Sequence, residues 1–255
     1  MPAAADPAFL LVKPSPEDTR DFKFKAKTTY SNLPTSVDLT LLLPPALDQG
    51  ELGSCAANAG SVALRYLYKK QIAQDWLPSR LALYYVTRVY MTGDTPDEDT
   101  GCYLRDLCKA MSRYQLPPEI YWRYDISKFA LPPPFLQADE VASAPLVEYR
   151  AVNRDEFSLK SALAERNMVI VGIAVYESFM TPLVASTGVV PMPKPGELCL
   201  GGHACLLTGF TTSTWTLRNS WGMWGKKGNF TLPVAYLTNP HLCFDAWVLS
   251  KAIET

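Results

Sequence analysis

The chain has 255 residues, and 24 Lys and Arg against 25 Asp and Glu give it a formal net charge of −1. Hydrophobic residues make up 48% and charged residues 19%, a composition typical of a folded protein rather than a disordered one. The near-neutral charge argues against a general nucleic-acid binder. The length suits one large domain or two smaller domains that pack together.

Targeting and membrane-spanning segments are not expected. The only early apolar run, residues 8–12, is too short for the core of a secretory signal, and no basic residue precedes it. The longest apolar run, residues 168–175, falls far below the about 20 residues that span a bilayer. We therefore expect an intracellular protein, or a virion-associated one if the source is a virus, with no membrane partner.

The first half of the chain favours helices. Residues 1–32 are polar, with alternating charges, and predict an extended arm outside the core. Residues 33–53 are rich in Pro and Gly and predict irregular structure. An apolar stripe at helical spacing follows Cys55, and further helices are predicted over residues 78–90, with Pro78 in the first turn, and 104–114.

The second half favours strands. Pro132-Pro133-Pro134 indicates a stiff linker, so the predicted division is an arm (1–32), a helical domain (33–131) and a β-rich domain (132–255). One helix is predicted over residues 156–166. The predicted strands, short and bounded by Gly, Pro, Asn or Ser, are residues 168–175, 204–211, 215–219, 228–232 and 244–249.

Cys55 lies at the start of the first predicted helix. The positive end of the helix dipole and the unpaired N–H groups there stabilise a thiolate, which makes Cys55 a candidate nucleophile. The alternative is a small buried apolar residue, the usual environment of a free cysteine. Cys55 alone does not decide between the two.

His203 and Asn219 provide partners for such a thiol. The chain has two histidines, and His241, after Asn239-Pro240, is interpreted as a surface or packing residue. His203 begins one predicted strand and Asn219 ends the next, so an antiparallel hairpin would bring the two side chains together. An amide that binds one imidazole nitrogen leaves the other free to face a thiol, which completes a nucleophile, base and orienter.

Four segments together resemble the papain-like (C1-type) cysteine peptidases. They are Leu33-Pro34-Thr35-Ser36-Val37-Asp38, residues 48–55, Gly202-His203-Ala204 and Asn219-Ser220-Trp221-Gly222, with His203 148 residues after Cys55. The resemblance implies an α+β fold of two domains, one helical and one an antiparallel β-barrel-like sheet, with the active-site cleft between them. Ala56 after the cysteine is typical of bacterial and viral members rather than of secreted animal or plant enzymes.

The resemblance also implies roles for individual residues. Cys55 would attack the scissile carbonyl, His203 would hold and transfer the proton, and Asn219 would orient His203. Gln49 would donate to the oxyanion, and Trp221 would shield the His203–Asn219 hydrogen bond from water. For Gln49 the alternative is a solvated loop amide, and for Trp221 it is ordinary core packing.

The cleft itself is assigned to glycines and Trp221. The segment Asp99-Thr100-Gly101-Cys102 resembles a loop whose glycine pairs with an extended substrate, so Gly101, Gly202 and Trp221 are the predicted substrate-binding residues. A plain turn at the entry to a helix explains Gly101 equally well.

No cofactor and no metal are predicted. A zinc site at Cys199, His203 and Cys205 has no standard spacing and would leave Cys55 without a base. Leu52 stands where secreted members carry a half-cystine, and five further cysteines cannot all pair within one chain, so a disulfide framework is not expected: Cys102, Cys108, Cys199, Cys205 and Cys243.

The sequence thus predicts a monomeric thiol endopeptidase that acts on polypeptide substrates. Two alternatives stay open: a catalytically silent papain-fold binding protein, and an exopeptidase or transpeptidase. Residues 1–32 are shorter than the usual inhibitory propeptide of this family, and the hypothesis is that they partly occlude the cleft.

Overall fold

A computed structural model of the chain describes residues 10–134, 136–137, 139 and 146–252. The first nine residues of the predicted arm lie outside this range, as does most of the stretch that follows the proline linker. The described elements are β1 (Val37–Asp38), α1 (Cys55–Gln71), α2 (Arg80–Tyr85), α3 (Leu104–Arg113), β2 (Val147–Ala151), α4 (Glu156–Ala164), β3 (Val169–Tyr176), α5 (Pro182–Thr187), β4 (Cys199–Phe210), β5 (Thr214–Arg218), α6 (Trp224–Lys227), β6 (Asn229–Pro233), α7 (Val234–Thr238) and β7 (Cys243–Ala252).

The strands form one antiparallel sheet in the order β2-β7-β3-β4-β5-β6, with β1 paired to β4. The predicted α+β class is confirmed, but the sheet is open and does not close into a barrel-like cylinder. β3 lies in the middle and is almost entirely buried, because its neighbours are β4 and β7 and its residues are β-branched or small. β4 runs beside it and places His203 opposite Ile173.

α1 carries the predicted apolar stripe and packs against the sheet at β4 and β7. Its N-terminus is Cys55, as the sequence predicts, and Lys69 and Lys70 lie in its last turn, where the macrodipole favours cations. The second predicted helix differs from expectation. Ser79 caps it by accepting a hydrogen bond from the Ala82 N–H, so Pro78 lies before the helix rather than in its first turn.

The ends of the predicted elements shift by a few residues. α2 gives way at Val86 to a wider π-type turn that reaches Met91, a change of hydrogen-bond spacing that apolar periodicity does not reveal. The five predicted strands are present, and β4 begins five residues earlier than predicted. β1 and β2 were not predicted because they are short or mixed in polarity.

The described helices have at most 17 residues, the length of α1. None of them is both long enough and apolar enough to cross a bilayer.

The described part of the arm, residues 10–32, is mostly extended, but it is not outside the core. Leu10 and Val12 are each only 4% exposed and pack within the central apolar cluster. Further along, the arm adds to the sheet: the Phe24 N–H donates to the Ala151 carbonyl, and the Ala151 N–H donates to the Phe22 carbonyl, both at 2.8 Å. Apolar burial and strand pairing therefore contribute to the placement of residues 10–24, and the charge pattern does not reveal either of them.

Candidate active site

Cys55 is the first residue of α1 and is fully buried. Its Sγ accepts a hydrogen bond from the Ala204 N–H at 3.4 Å, which places the thiol beside the residue that follows His203. Burial raises the pKa of the Cys55 thiol to about 12, and hydrogen bonds from nearby backbone N–H groups oppose that shift. In the described conformation the surroundings of the sulfur therefore oppose its ionisation.

His203 and Asn219 meet as the predicted hairpin requires. His203 Nε2 lies 2.8 Å from Asn219 Oδ1, and this same oxygen accepts the Ser220 N–H at 2.8 Å, so the oxygen side of the amide faces the imidazole. Nε2 therefore carries the proton and donates. His203 Nδ1 is buried without a hydrogen-bond partner. Burial lowers the pKa of His203 to about 4, while the Asn219 bond acts in the opposite direction.

Trp221 covers the imidazole. The two rings stack with centroids 4.5 Å apart and an interplanar angle of 27°. Phe179 and Trp224 pack around the indole at centroid distances of 6.0 and 5.1 Å. Trp221 thus covers one face of the His203 ring and is also part of an aromatic cluster.

Gln49 is fully buried, not a solvated loop amide. Its Nε2 donates to the Leu52 carbonyl at 2.9 Å, and its Oε1 accepts from the Ser220 hydroxyl at 2.6 Å. The Gln49 N–H also donates to the Ser220 carbonyl at 2.8 Å. Leu52 and Ser220 thus bind the nitrogen and the oxygen of the side-chain amide, and one hydrogen of Nε2 stays available. The contact between Ser220 and Gln49 was not predicted from the sequence.

Gly101 and Gly202 wall the arm on two sides, at Leu11 and at Leu10 and Val12. The Val12 N–H donates to the Gly202 carbonyl at 3.1 Å, and the Gly202 N–H donates to the Leu10 carbonyl at 3.2 Å. On the other wall Gly101, at φ +68°, contacts the Leu11 carbonyl so closely that a Cβ has no room. Both predicted substrate-binding glycines therefore contact the arm backbone.

Two contacts near the nucleophile were not predicted. Asp99, named above only as part of the segment before α3, accepts the Gly53 N–H at 2.7 Å, two residues before Cys55. The Tyr124 hydroxyl contacts both Gln49 and Ser54. A polar residue far away in sequence carries no local pattern, so only the tertiary structure could reveal them.

The cysteines are all free thiols. Cys199 is exposed, whereas the other four outside the nucleophile position are buried: Cys102, Cys108, Cys205 and Cys243. Their solvent exposure matters for any experiment that labels Cys55.

Comparisons with known proteins agree with this geometry. The sequence profile of the papain family cysteine proteases matches residues 136–237, a range that contains His203 and Asn219 but not Cys55. An uncharacterized peptidase C1-like protein of Acanthamoeba polyphaga mimivirus is 36% identical over 227 residues, which cover 83% of this chain and 72% of the viral protein. The chain therefore belongs to the papain family of cysteine peptidases.

Solved structures support the same assignment. Xylellain, a cysteine protease from Xylella fastidiosa, superposes with a TM-score of 0.85 at 29% identity, and 98% of each chain is covered. Procathepsin L 3 of Tenebrio molitor larval midgut has a TM-score of 0.72 at 19% identity, with 96% of this chain and 77% of that chain covered, and shares the fold. This chain is a cysteine-type peptidase similar to bacterial and viral members, as Ala56 predicted.

Proposed function

We propose that the protein hydrolyses peptide bonds through Cys55, His203 and Asn219. The observation that carries this proposal is the state of the imidazole: Asn219 holds Nε2, and Nδ1 is left unpaired on a residue whose neighbour, Ala204, binds the Cys55 sulfur. His203 Nδ1 would take the thiol proton as Cys55 attacks the carbonyl carbon. The same proton would pass to the leaving amine, and water would then hydrolyse the thioester.

We assign the oxyanion donors to the Gln49 side chain and the Cys55 N–H. Gln49 is fixed by Leu52 and Ser220, so its remaining amide hydrogen needs little reorganisation when charge develops on the substrate oxygen. The Cys55 N–H lies at the start of α1, where the first N–H groups have no partner within the helix. The removal of one such donor typically costs about 10²–10³ in kcat.

The arm is proposed to inhibit the enzyme by filling the substrate groove. Leu10 and Val12 bind Gly202 through their backbones, and Leu11 covers Gly101, so the two walls available to an extended peptide are occupied. With the arm in place Cys55 and His203 are both fully buried. A substrate must displace this segment before its carbonyl can approach the thiol.

The pKa shifts predict a pH-dependent effect of arm removal. Burial raises the thiol pKa and lowers the imidazole pKa, so both groups are held neutral in the covered state. Solvent readmitted to the cleft would lower the thiol pKa, and thiolate would form at a lower pH. The rate at which iodoacetamide alkylates Cys55 is measured against pH for the full chain and for a chain that starts at Leu33. Both carry Cys199→Ser, which removes the exposed thiol. We expect the rate of the shorter chain to rise at a lower pH. If the shorter chain reacts faster but its rate rises at the same pH, the arm blocks access to the thiol without changing its pKa.

Cleavage of a mixed peptide library tests the function directly. The full chain and the chain that starts at Leu33 are incubated with the library, and the products are sequenced by mass spectrometry. We expect internal cuts, faster with the shortened chain, that a thiol-reactive epoxide abolishes. Cuts confined to peptide termini would show an exopeptidase, joined peptides a transpeptidase, and no cleavage by either chain would favour a silent binding protein.

A further inference from the structure

The hydroxyl of Tyr124 lies under the loop that carries the proposed oxyanion donors. It donates to the Gln49 carbonyl at 2.8 Å and lies 2.5 Å from the Ser54 hydroxyl. A tyrosine hydroxyl has one proton and a carbonyl only accepts, so that proton points at Gln49 and Ser54 is the donor in the second bond. Tyr124 thereby contacts both ends of the segment from Gln49 to Ser54.

A series of side-chain hydrogen bonds leads from Arg80 through Asn58 to the Ser54 hydroxyl. The Asn58 side-chain amide donates to the Ser54 hydroxyl at 3.1 Å, and Arg80 Nη1 donates to Asn58 Oδ1 at 2.9 Å. Arg80 in turn forms a two-point ion pair with Glu119, at 2.7 and 2.8 Å. Each donor in this chain meets an acceptor, and a fully satisfied buried network of this kind rigidifies the groups it joins.

Arg80 also fixes the ring that carries the hydroxyl. Its guanidinium carbon lies 4.0 Å from the centroid of the Tyr124 ring, a cation–π contact. Arg80 Nη1 donates to the Asp48 carbonyl at 3.1 Å, so two successive carbonyls, those of Asp48 and Gln49, are bound by Arg80 and Tyr124. The loop before α1 is therefore held through its backbone as well as through the Gln49 side chain.

We propose that Tyr124 is a positioning residue that sets the separation of the two oxyanion donors. The donors lie at the two ends of one short loop, the Gln49 amide at one end and the Cys55 N–H next to Ser54 at the other. Tyr124 binds the loop at Gln49 and at Ser54, so its hydroxyl ties the two ends together. This proposal rests on the proposed function, because it concerns the donors assigned there.

The ionisation of Tyr124 agrees with the direction of its hydrogen bond. Burial raises the pKa of the Tyr124 hydroxyl to about 12, while Ser54 and the charge of Arg80 oppose the shift. The hydroxyl keeps its proton at neutral pH and continues to donate to Gln49.

Tyr124→Phe tests the proposal, because it removes the hydroxyl and keeps the ring over Arg80. We expect kcat to fall about tenfold with KM within about twofold, since a misplaced oxyanion donor affects the transition state more than the bound substrate. The loss is expected to be smaller than the about 10²–10³ for removal of a donor itself. The assay uses the full chain, and an epoxide titration of Cys55 normalises the rate to the folded active fraction.

A double-mutant cycle separates positioning from general stability. In a Gln49→Ala background one donor is already absent, so Tyr124→Phe is expected to cost less than about twofold in kcat. Tyr121→Phe is the matched control, because this tyrosine is 71% exposed, and it is expected to leave kcat unchanged. An unchanged kcat in Tyr124→Phe, or an equal loss with and without Gln49, would overturn the proposal. Activity that persists in Cys55→Ala would instead overturn the proposed function.

Discussion

Cys55→Ala is expected to abolish peptide hydrolysis, with kcat lowered by a factor on the order of 10⁶, the size of effect that a protease shows when its nucleophile is removed. The variant loses the atom that would form the thioester, the sulfur that accepts the Ala204 N–H beside His203. The substitution deletes one sulfur atom from a fully buried site, so the fold should persist. Steady-state hydrolysis of a fluorogenic peptide by the chain that starts at Leu33 measures the loss.

Two cysteine variants serve as controls for this result. Cys102→Ala removes another buried thiol near the cleft, and Cys199→Ser removes the exposed one. Both are expected to keep kcat within about threefold, since neither sulfur takes part in the proposed reaction, whereas a buried change of this size can alter stability by about 1–3 kcal/mol. The melting temperature of each variant is compared with the parent. Hydrolysis or epoxide labelling that survives in Cys55→Ala would refute the assignment of the nucleophile.

The candidate catalytic set could be predicted from the sequence because each member has a local signal. Cys55 begins a strongly periodic helix, His203 lies within β4, and Asn219 directly follows the last residue of β5. Local signals of this kind depend on backbone geometry, which apolar periodicity and turn residues report. Gln49 has no such signal, and its role came only from the resemblance to a known family.

The contacts that hold this set in place could not be predicted. Tyr124 reaches Gln49 across 75 residues, and Ser220 reaches it across 171. A hydrogen bond between remote side chains leaves no period or spacing in the sequence. The open sheet could not be predicted either, because strand order and closure depend on which strand edges pair in the folded chain.

The position of the arm differs most from what its polarity indicates. Its charged residues indicated a solvated segment, yet one of these charges is the main anchor. Asp21 and Arg105 of α3 form an ion pair at 2.5 Å, with side chains only 11% and 10% exposed, and Arg105 also donates to the Pro16 carbonyl. A second anchor is the Ser15 N–H, which donates to the Asp245 carboxylate at 2.8 Å.

These anchors lie outside the proposed substrate groove, which makes the arm separable from the proposed catalytic residues. Leu10 and Val12 contact Gly202, whereas Asp21 and Ser15 bind the body of the protein further along the arm. A change at the anchors can therefore free the arm and leave the groove intact.

Arg105→Ala is thus expected to activate the full chain. Breaking a buried ion pair from one side costs about 3 kcal/mol or more, which would shift the equilibrium between bound and released arm about a hundredfold. Hydrolysis of a small fluorogenic peptide by the full chain should rise by up to that factor. The rise should approach, and not exceed, the rate of the chain that starts at Leu33.

The matched control is Arg20→Ala. Arg20 is also an arginine in an ion pair with an aspartate, but its partner is Asp18 of the arm itself and its side chain is 89% exposed. A pair of this kind contributes little, so the full chain should keep its parental rate. In the chain that starts at Leu33, Arg105→Ala should leave kcat/KM unchanged, because Asp21 is already absent. Equal activation by Arg20→Ala and Arg105→Ala, or an effect of Arg105→Ala without the arm, would contradict the idea that Arg105 acts by holding the arm in the groove.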